Sequence, residues 1–279
     1  MHAPNVTAMN RIRLLVIDPQ NDFMDIPGAT LPVPGADADM GRLAAFIDDQ
    51  RSRIDEMVVT LDSHASVGVE RTSFWVTADG LEVAPFTQIL AEDVRHERYL
   101  PRHRGRLAEV LAYLTALEQA GTRRLIAWPV HCVVGDWGHN IHAPVASSIA
   151  RWEWASDRTC DKVQKGLNPM TEQYSAFRAE VPLADDPRTH NNAQLMARLG
   201  AGDSVLLIAG EALSHCVAAT VEDMLAQMDD ARLRNTILLT DCMSSIPGFE
   251  AVSEAFLQQA RAKGVRTMGT DEVAAGLNP

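Results

Sequence analysis

Leu14-Leu15-Val16-Ile17-Asp18 is four apolar residues closed by an acid, and that pattern recurs along the chain. A run this short and this rich in branched side chains reads as a buried strand. Similar runs stand at Met57 to Leu61, Leu125 to Trp128, Val205 to Ala209 and Ile237 to Leu239. Stretches of helical period lie between several of them. Leu107, Val110, Leu111, Leu114 and Leu117 share one face of a helix expected over Arg104 to Gln119. A second helix is expected from about Cys216 to Met228, and a third over Val252 to Ala262 with Gly264 as its stop. Strand and helix in alternation predict an α/β fold, a Rossmann-like parallel sheet with helices on both faces.

At 279 residues, 46% of them hydrophobic, the chain is read as one domain over 1–279. Arg71 to His103, mixed in composition and carrying Pro85 and Pro101, interrupts the alternation and is expected to form an insertion or lid. The formal net charge of −12 argues against nucleic acid or an anionic membrane surface as partner and favours a small molecule. No stretch approaches the roughly 20 apolar residues of a membrane helix. Met1 to Asn10 lacks the charged-then-apolar pattern of a signal peptide, so a cytoplasmic location is expected. Cys132, Cys160, Cys216 and Cys242 are dispersed without a Cys-x-x-Cys pair, which predicts free thiols.

In an open parallel sheet, ligands bind beyond the carboxyl ends of the strands. Asp18 follows the first run, Asp62 and His64 the second, and His131 the third, while Cys216 follows Val205 to Ala209 across a short turn. Lys165 ends a weaker strand candidate, Asp161 to Gln164. Singly, each has an ordinary structural explanation as a turn acid, a solvated lysine, a core histidine or a buried thiol. Their joint placement at one sheet edge carries the argument.

Leu15-Val16-Ile17-Asp18-Pro19-Gln20-Asn21-Asp22-Phe23 resembles the opening of the nicotinamidase and isochorismatase-like cysteine hydrolases. Further likenesses follow in order: Leu31-Pro32-Val33-Pro34-Gly35-Ala36, Asp62-Ser63-His64, Trp128-Pro129-Val130-His131-Cys132-Val133, Lys165-Gly166, Tyr174-Ser175-Ala176-Phe177, and Gly210-Glu211-Ala212-Leu213-Ser214-His215-Cys216-Val217. The resemblance implies a triad of Asp18, Lys165 and Cys216 that hydrolyses an amide through a thioester. It also implies an oxyanion hole from the Ala212 and Cys216 backbone amides, a cis Glu211-Ala212 peptide, and a pocket walled by Phe23, Trp128 and Tyr174. A thiolate at Cys216 is expected to be favoured by a helix N-terminus and by Lys165.

The same resemblance makes Asp62, His64 and His131 metal ligands. Asp62 and His64 are two apart, so on an extended segment both point to one side. Two imidazoles and a carboxylate suit zinc, and also iron or manganese. The family's further histidine after Asp-x-His is missing from Ala65 to Ser73, and Glu70 is the candidate replacement ligand. Leu213-Ser214 stands where Thr-Asp is common, and Asp136 where a threonine is usual. The expected substrate is nicotinamide or a related small amide, as a step of NAD salvage by a self-associating chain. Another amide, a ureide or an N-carbamoyl compound is the alternative substrate, and a catalytically silent scaffold the alternative outside enzymes.

Overall fold

The computed structural model describes residues 11–121 and 123–277. The first half of the chain runs β1 (Ile12–Ile17), α1 (Ala36–Gln50), β2 (Ile54–Asp62), β3 (Trp75–Thr77), β4 (Thr87–Ile89), α2 (Ala91–Arg95), β5 (Tyr99–Pro101), α3 (Leu107–Ala120) and β6 (Leu125–Ala127). The second half runs α4 (Ala143–Ser156), β7 (Asp161–Lys165), α5 (Ala193–Gly200), β8 (Val205–Gly210), α6 (Ala218–Gln227), α7 (Asp230–Arg234), β9 (Thr236–Leu239), α8 (Glu250–Ala262), β10 (Arg266–Met268) and α9 (Thr270–Leu277).

Six strands form one parallel sheet in the order β10-β9-β8-β1-β2-β7. The two central strands are buried on both faces because helices cover both: α1 packs with α4 and α9, and α6 with α8. Among the described residues no helix is long and apolar enough to cross a membrane. All four cysteines are free and buried.

Leu125 to Trp128 departs from expectation. Its strand, β6, does not join the parallel sheet but pairs antiparallel with β4, Ile89 opposite Leu125 and Thr87 opposite Ala127. An apolar run specifies burial, not the partner strand, and the partner here comes from the interrupting segment. That segment carries β3, β4, α2 and β5, with β3 paired antiparallel to β5. With α3 and β6 it builds a second apolar cluster that includes Phe74, Trp75, Ile89, Val110, Leu114 and Leu125.

Register places the site. Ile17 on β1 pairs with Gly210 on β8, and Asp62 on β2 pairs with Lys165 on β7, with Asp62 two residues beyond the position opposite Ile17. Gly210 has φ +123°, and a Cβ there would fall 1.9 Å from the Ile17 carbonyl oxygen. Only glycine lets these two strand ends approach so closely. Beyond it the Glu211-Ala212 peptide is cis, as expected.

Candidate active site

Asp18 leaves β1 with φ 43°, a left-handed conformation that aspartate tolerates better than most residues. Thr60 on β2 fixes it from the side: the Asp18 N–H donates to Thr60 Oγ1 at 3.0 Å, and the Thr60 hydroxyl donates to Asp18 Oδ1 at 2.6 Å. Gln20 secures the next strand end, donating to the Asp62 carbonyl at 2.8 Å and accepting from the Asp62 N–H at 2.7 Å. These bonds satisfy backbone groups that the strand ends leave unpaired.

Lys165, 2% exposed, reaches into this frame from the edge strand. Its Nζ lies 2.9 Å from Asp18 Oδ2, 2.9 Å from Asp62 Oδ1 and 3.5 Å from Cys216 Sγ. It also donates to the Gln173 carbonyl at 3.2 Å. Burial disfavours its charge, but Asp18, Asp62 and the Cys216 sulfur outweigh burial and hold the amine well above its ordinary range. It is an ammonium. Burial pushes the Asp18 carboxyl up, with Lys165 partly offsetting it. Asp18, Lys165 and Cys216 are therefore brought together.

Cys216 does not meet the expectation for its thiol. Burial pushes its pKa well above the usual value, Lys165 opposes this, and Asp18 and Asp62 add to it. Nor does it begin an α-helix: it sits in a π-turn, Leu213–Val217, that runs on into α6. The resting group is a neutral thiol, and a base has to take its proton as the sulfur attacks.

Beside these three residues, Asp62, His64 and His131 present ligand atoms within 4.8 Å of one another, all three buried. His64 Nε2 lies 2.8 Å and His131 Nε2 3.4 Å from Asp62 Oδ2. Each donor is backed from behind. His131 Nδ1 lies 2.7 Å from the Pro129 carbonyl, Asp62 Oδ1 is held by Lys165, and His64 Nδ1 meets Glu70 Oε1 at 3.2 Å. Glu70 is thus not part of the convergence; it touches the opposite nitrogen of His64 and also accepts from Arg71 Nε at 3.0 Å. A carboxylate behind a histidine is the arrangement that orients a metal-binding imidazole.

The charges agree with a cation site. Burial lowers the basicity of His64, but Asp62 overrides it and raises the pKa to about 9, so a proton occupies the position a cation would neutralise. Burial raises Asp62, yet His64 and Lys165 hold it well below the usual range. His131, pushed down to about 4 by burial and by Arg71, is neutral and able to ligate. Two imidazoles and a carboxylate fit a divalent metal.

Phe23, Trp128 and Tyr174 line the cavity in front of these groups, together with Ala212, His131 and Cys216. Trp128 Nε1 donates to the Tyr174 hydroxyl at 3.0 Å. Four residues that line the cavity were not predicted as site residues: Leu31, Glu172, His215 and Ile246. The place of His215 beside Cys216 is the one sequence signal that could have found it. Glu172 lines the same cavity with its pKa raised to about 7 by burial and then by Glu70.

No family model matches the chain. Its architecture is that of the isochorismatase-like hydrolases: it superposes on the nicotinamidase pyrazinamidase of Acinetobacter baumanii with TM-score 0.62 at 20% identity, covering 95% of this chain and 98% of that one. A pyrazinamidase of Pyrococcus horikoshii in complex with zinc superposes with TM-score 0.54 at 20% identity, over 93% and 99%. Similarity extends to the sequence level for one curated relative. The nicotinamidase of Saccharomyces cerevisiae is 25% identical over 210 residues, 74% of this chain and 78% of that protein, and its structure superposes with TM-score 0.63. The chain is thus similar in sequence to a nicotinamidase and shares the fold of the isochorismatase-like hydrolases.

Proposed function

We propose that this chain is a metal-dependent cysteine amidohydrolase that converts nicotinamide, or a small primary amide like it, to the acid and ammonia through a thioester. The observation that carries the reading is the buried Lys165 ammonium, which touches Asp18 at 2.9 Å and Cys216 at 3.5 Å beside the Asp62, His64 and His131 cluster. The nicotinamidases and pyrazinamidases of the same fold support it.

In this reading Asp18 accepts the Cys216 thiol proton as sulfur attacks the amide carbon. Lys165 stabilises the anionic charge on whichever partner bears it. The oxyanion is met by the Ala212 and Cys216 backbone amides. Asp18 then gives its proton to the departing ammonia and later takes one from the water that cleaves the thioester, so sulfur regains its proton at the end. Asp62, His64 and His131 would hold the metal, zinc first and iron or manganese as alternatives. When bound, it supplies a Lewis acid that orients a substrate nitrogen. Phe23, Trp128 and Tyr174 flank the acyl group, and the 71–103 segment backs Trp128 through Phe86, edge-on at 5.7 Å between ring centroids. A cytosolic role in NAD salvage by a self-associated chain belongs to the same proposal.

The test is ammonia release from nicotinamide and a panel of amides, ureides and N-carbamoyl compounds, paired with metal analysis. Cys216→Ala is expected to abolish turnover and keep the metal. Turnover surviving in that variant refutes the assigned nucleophile, and no release from any amide by the metal-loaded wild type refutes the reading as a whole.

A further inference from the structure

Glu211 precedes Ala212 in the chain; Ala212 lines the cavity, whereas the Glu211 side chain is fully buried and does not. Two bonds to one residue, Ser244, bracket Ala212. Glu211 Oε2 accepts from the Ser244 N–H at 3.1 Å, and the Leu213 N–H donates to the Ser244 carbonyl at 2.8 Å. Ser244 is in turn tied to α1, its hydroxyl donating to Asp39 Oδ2 at 2.5 Å. Asp39, 4% exposed, pairs with Arg42, whose Nε donates to the Asp241 carbonyl at 2.6 Å. The Glu211 carboxyl also meets the Asp39 carboxylate in a hydrogen bond. Two carboxyl groups make such a contact only when one of them keeps its proton. Burial, and then Asp39, push Glu211 well above its ordinary range, with the Ser244 N–H opposing, so Glu211 is the protonated partner.

We propose that Glu211 is a positioning residue: by its hydrogen bond to Asp39 and its hold on Ser244, it fixes the Ala212 backbone amide where the oxyanion forms. This rests on the amidohydrolase reading and adds a determinant of its rate that touches no substrate. Glu211 acts only as the acid. Once its proton is lost, two anions face each other out of reach of water, and the 210–213 segment is driven off α1. The donor then leaves its place while the aromatic walls that bind substrate stay. A raised acid keeps its proton up to its folded pKa, so the arrangement holds at neutral pH and fails on the alkaline side. The groups around Glu211 favour this. Asp39 and Arg42 stand on α1, Asp25 in the loop before it adds negative charge, and Asp241 and Cys242 follow β9. From β1 the Ile17 carbonyl accepts from the Glu211 N–H at 2.8 Å, with Asp18 next in the chain.

The experiment measures kcat and KM of the metal-loaded enzyme for nicotinamide from about pH 6 to about pH 10. Wild-type kcat is expected to fall on the alkaline side with little change in KM. Glu211→Gln offers Asp39 an N–H and Ser244 a carbonyl, and it cannot ionise. It is expected to keep kcat at neutral pH and to lose the alkaline fall. Glu211→Ala is expected to lower kcat at every pH by about tenfold to a hundredfold, short of the roughly hundredfold to thousandfold cost of removing an oxyanion donor outright. Its KM and metal content are expected to stay, the pattern of an interaction made only in the transition state. An alkaline fall in folded Glu211→Gln that coincides with the wild type's overturns the inference, and so does wild-type kcat in Glu211→Ala. Should Glu211→Gln not fold, Asp39→Asn gives Glu211 a neutral partner and is expected to remove the fall; a fall kept there overturns the inference equally. A wild type that is active with the same profile as every variant refutes the positioning role alone. A wild type inactive on every amide refutes the amidohydrolase reading and the inference with it.

Discussion

Lys165→Met tests whether the buried ammonium is what allows two carboxylates to sit at the sheet edge. Lys165 is 2% exposed, Asp18 fully buried and Asp62 5% exposed, so the substitution strands negative charge where water cannot reach it. Removing one partner of a buried ion pair costs about 3–5 kcal/mol, because the remaining charge keeps its desolvation penalty without its attraction. Asp62 retains His64, whereas the Asp18 carboxylate retains the neutral Thr60 hydroxyl and Cys216 thiol, so most of the cost falls on Asp18. With an m-value of about 3 kcal/mol/M in urea, the unfolding midpoint of chelator-treated protein is expected to fall by about 1 to 1.7 M. The pH dependence has a definite sign. Burial already raises Asp18, and without Lys165 its folded pKa stands further above the unfolded value. A raised acid stabilises the fold fully below its unfolded pKa and loses that contribution as pH rises. The deficit of the variant is therefore larger at pH 8 than at pH 5. Urea titrations of both proteins at both pH values measure it. A midpoint at pH 8 within about 0.2 M of wild type, well inside the range that such m-values resolve, refutes the role given to the ammonium.

Glu70→Gln separates a supporting carboxylate from a ligand: metal affinity measured by chelator competition is expected to fall about 10–100-fold while His64 and His131 still bind. Complete loss of the metal would show that Glu70 coordinates it directly. Glu211, fully buried, has its pKa pushed well up by burial and by Asp39. Its contribution to stability is complete below the unfolded pKa of about 4.5 and is lost as pH rises, so wild type should lose thermal stability relative to Glu211→Gln between pH 5 and pH 9. Melting temperatures that keep a constant difference across that range count against a protonated Glu211.

The sheet was readable because its central strands are short, wholly apolar and separated by helical periods. Leu14 to Ile17 and Val205 to Ala209 are such runs, and both are buried. The edge strand was faint for the converse reason: Asp161–Lys165 alternates intermediate and exposed positions until Lys165, so it carries almost no apolar signal. Lys165 could be placed only as the end of a weak strand candidate, and its role came from the resemblance. Leu125 to Ala127 was read as a strand correctly, but its partner β4 lies in a segment whose mixed composition gave no strand signal. Asp18, Asp62 and His64 were visible because they directly follow apolar runs. Thr60 and Gln20, which hold them, were not, since a side chain aimed at a neighbouring strand leaves no trace in its own sequence. His215 and Glu172 depend still more on tertiary neighbours. The thiol was misjudged because proximity to a cation is suggested by motif, whereas the depth of burial that overrides it is not.

The pairing of Asp62 with Lys165 across β2 and β7 has a consequence for how the protein becomes competent. A slip of one residue along that ladder would turn the lysine to the opposite face of the sheet and leave two acids facing a neutral thiol. Because β7 is an edge strand, a single ladder, β2 with β7, holds the lysine in the constellation. Whatever loosens that rim, whether a truncation, a denaturant pulse or a competing strand, should silence the chain before the apolar centre of the sheet yields.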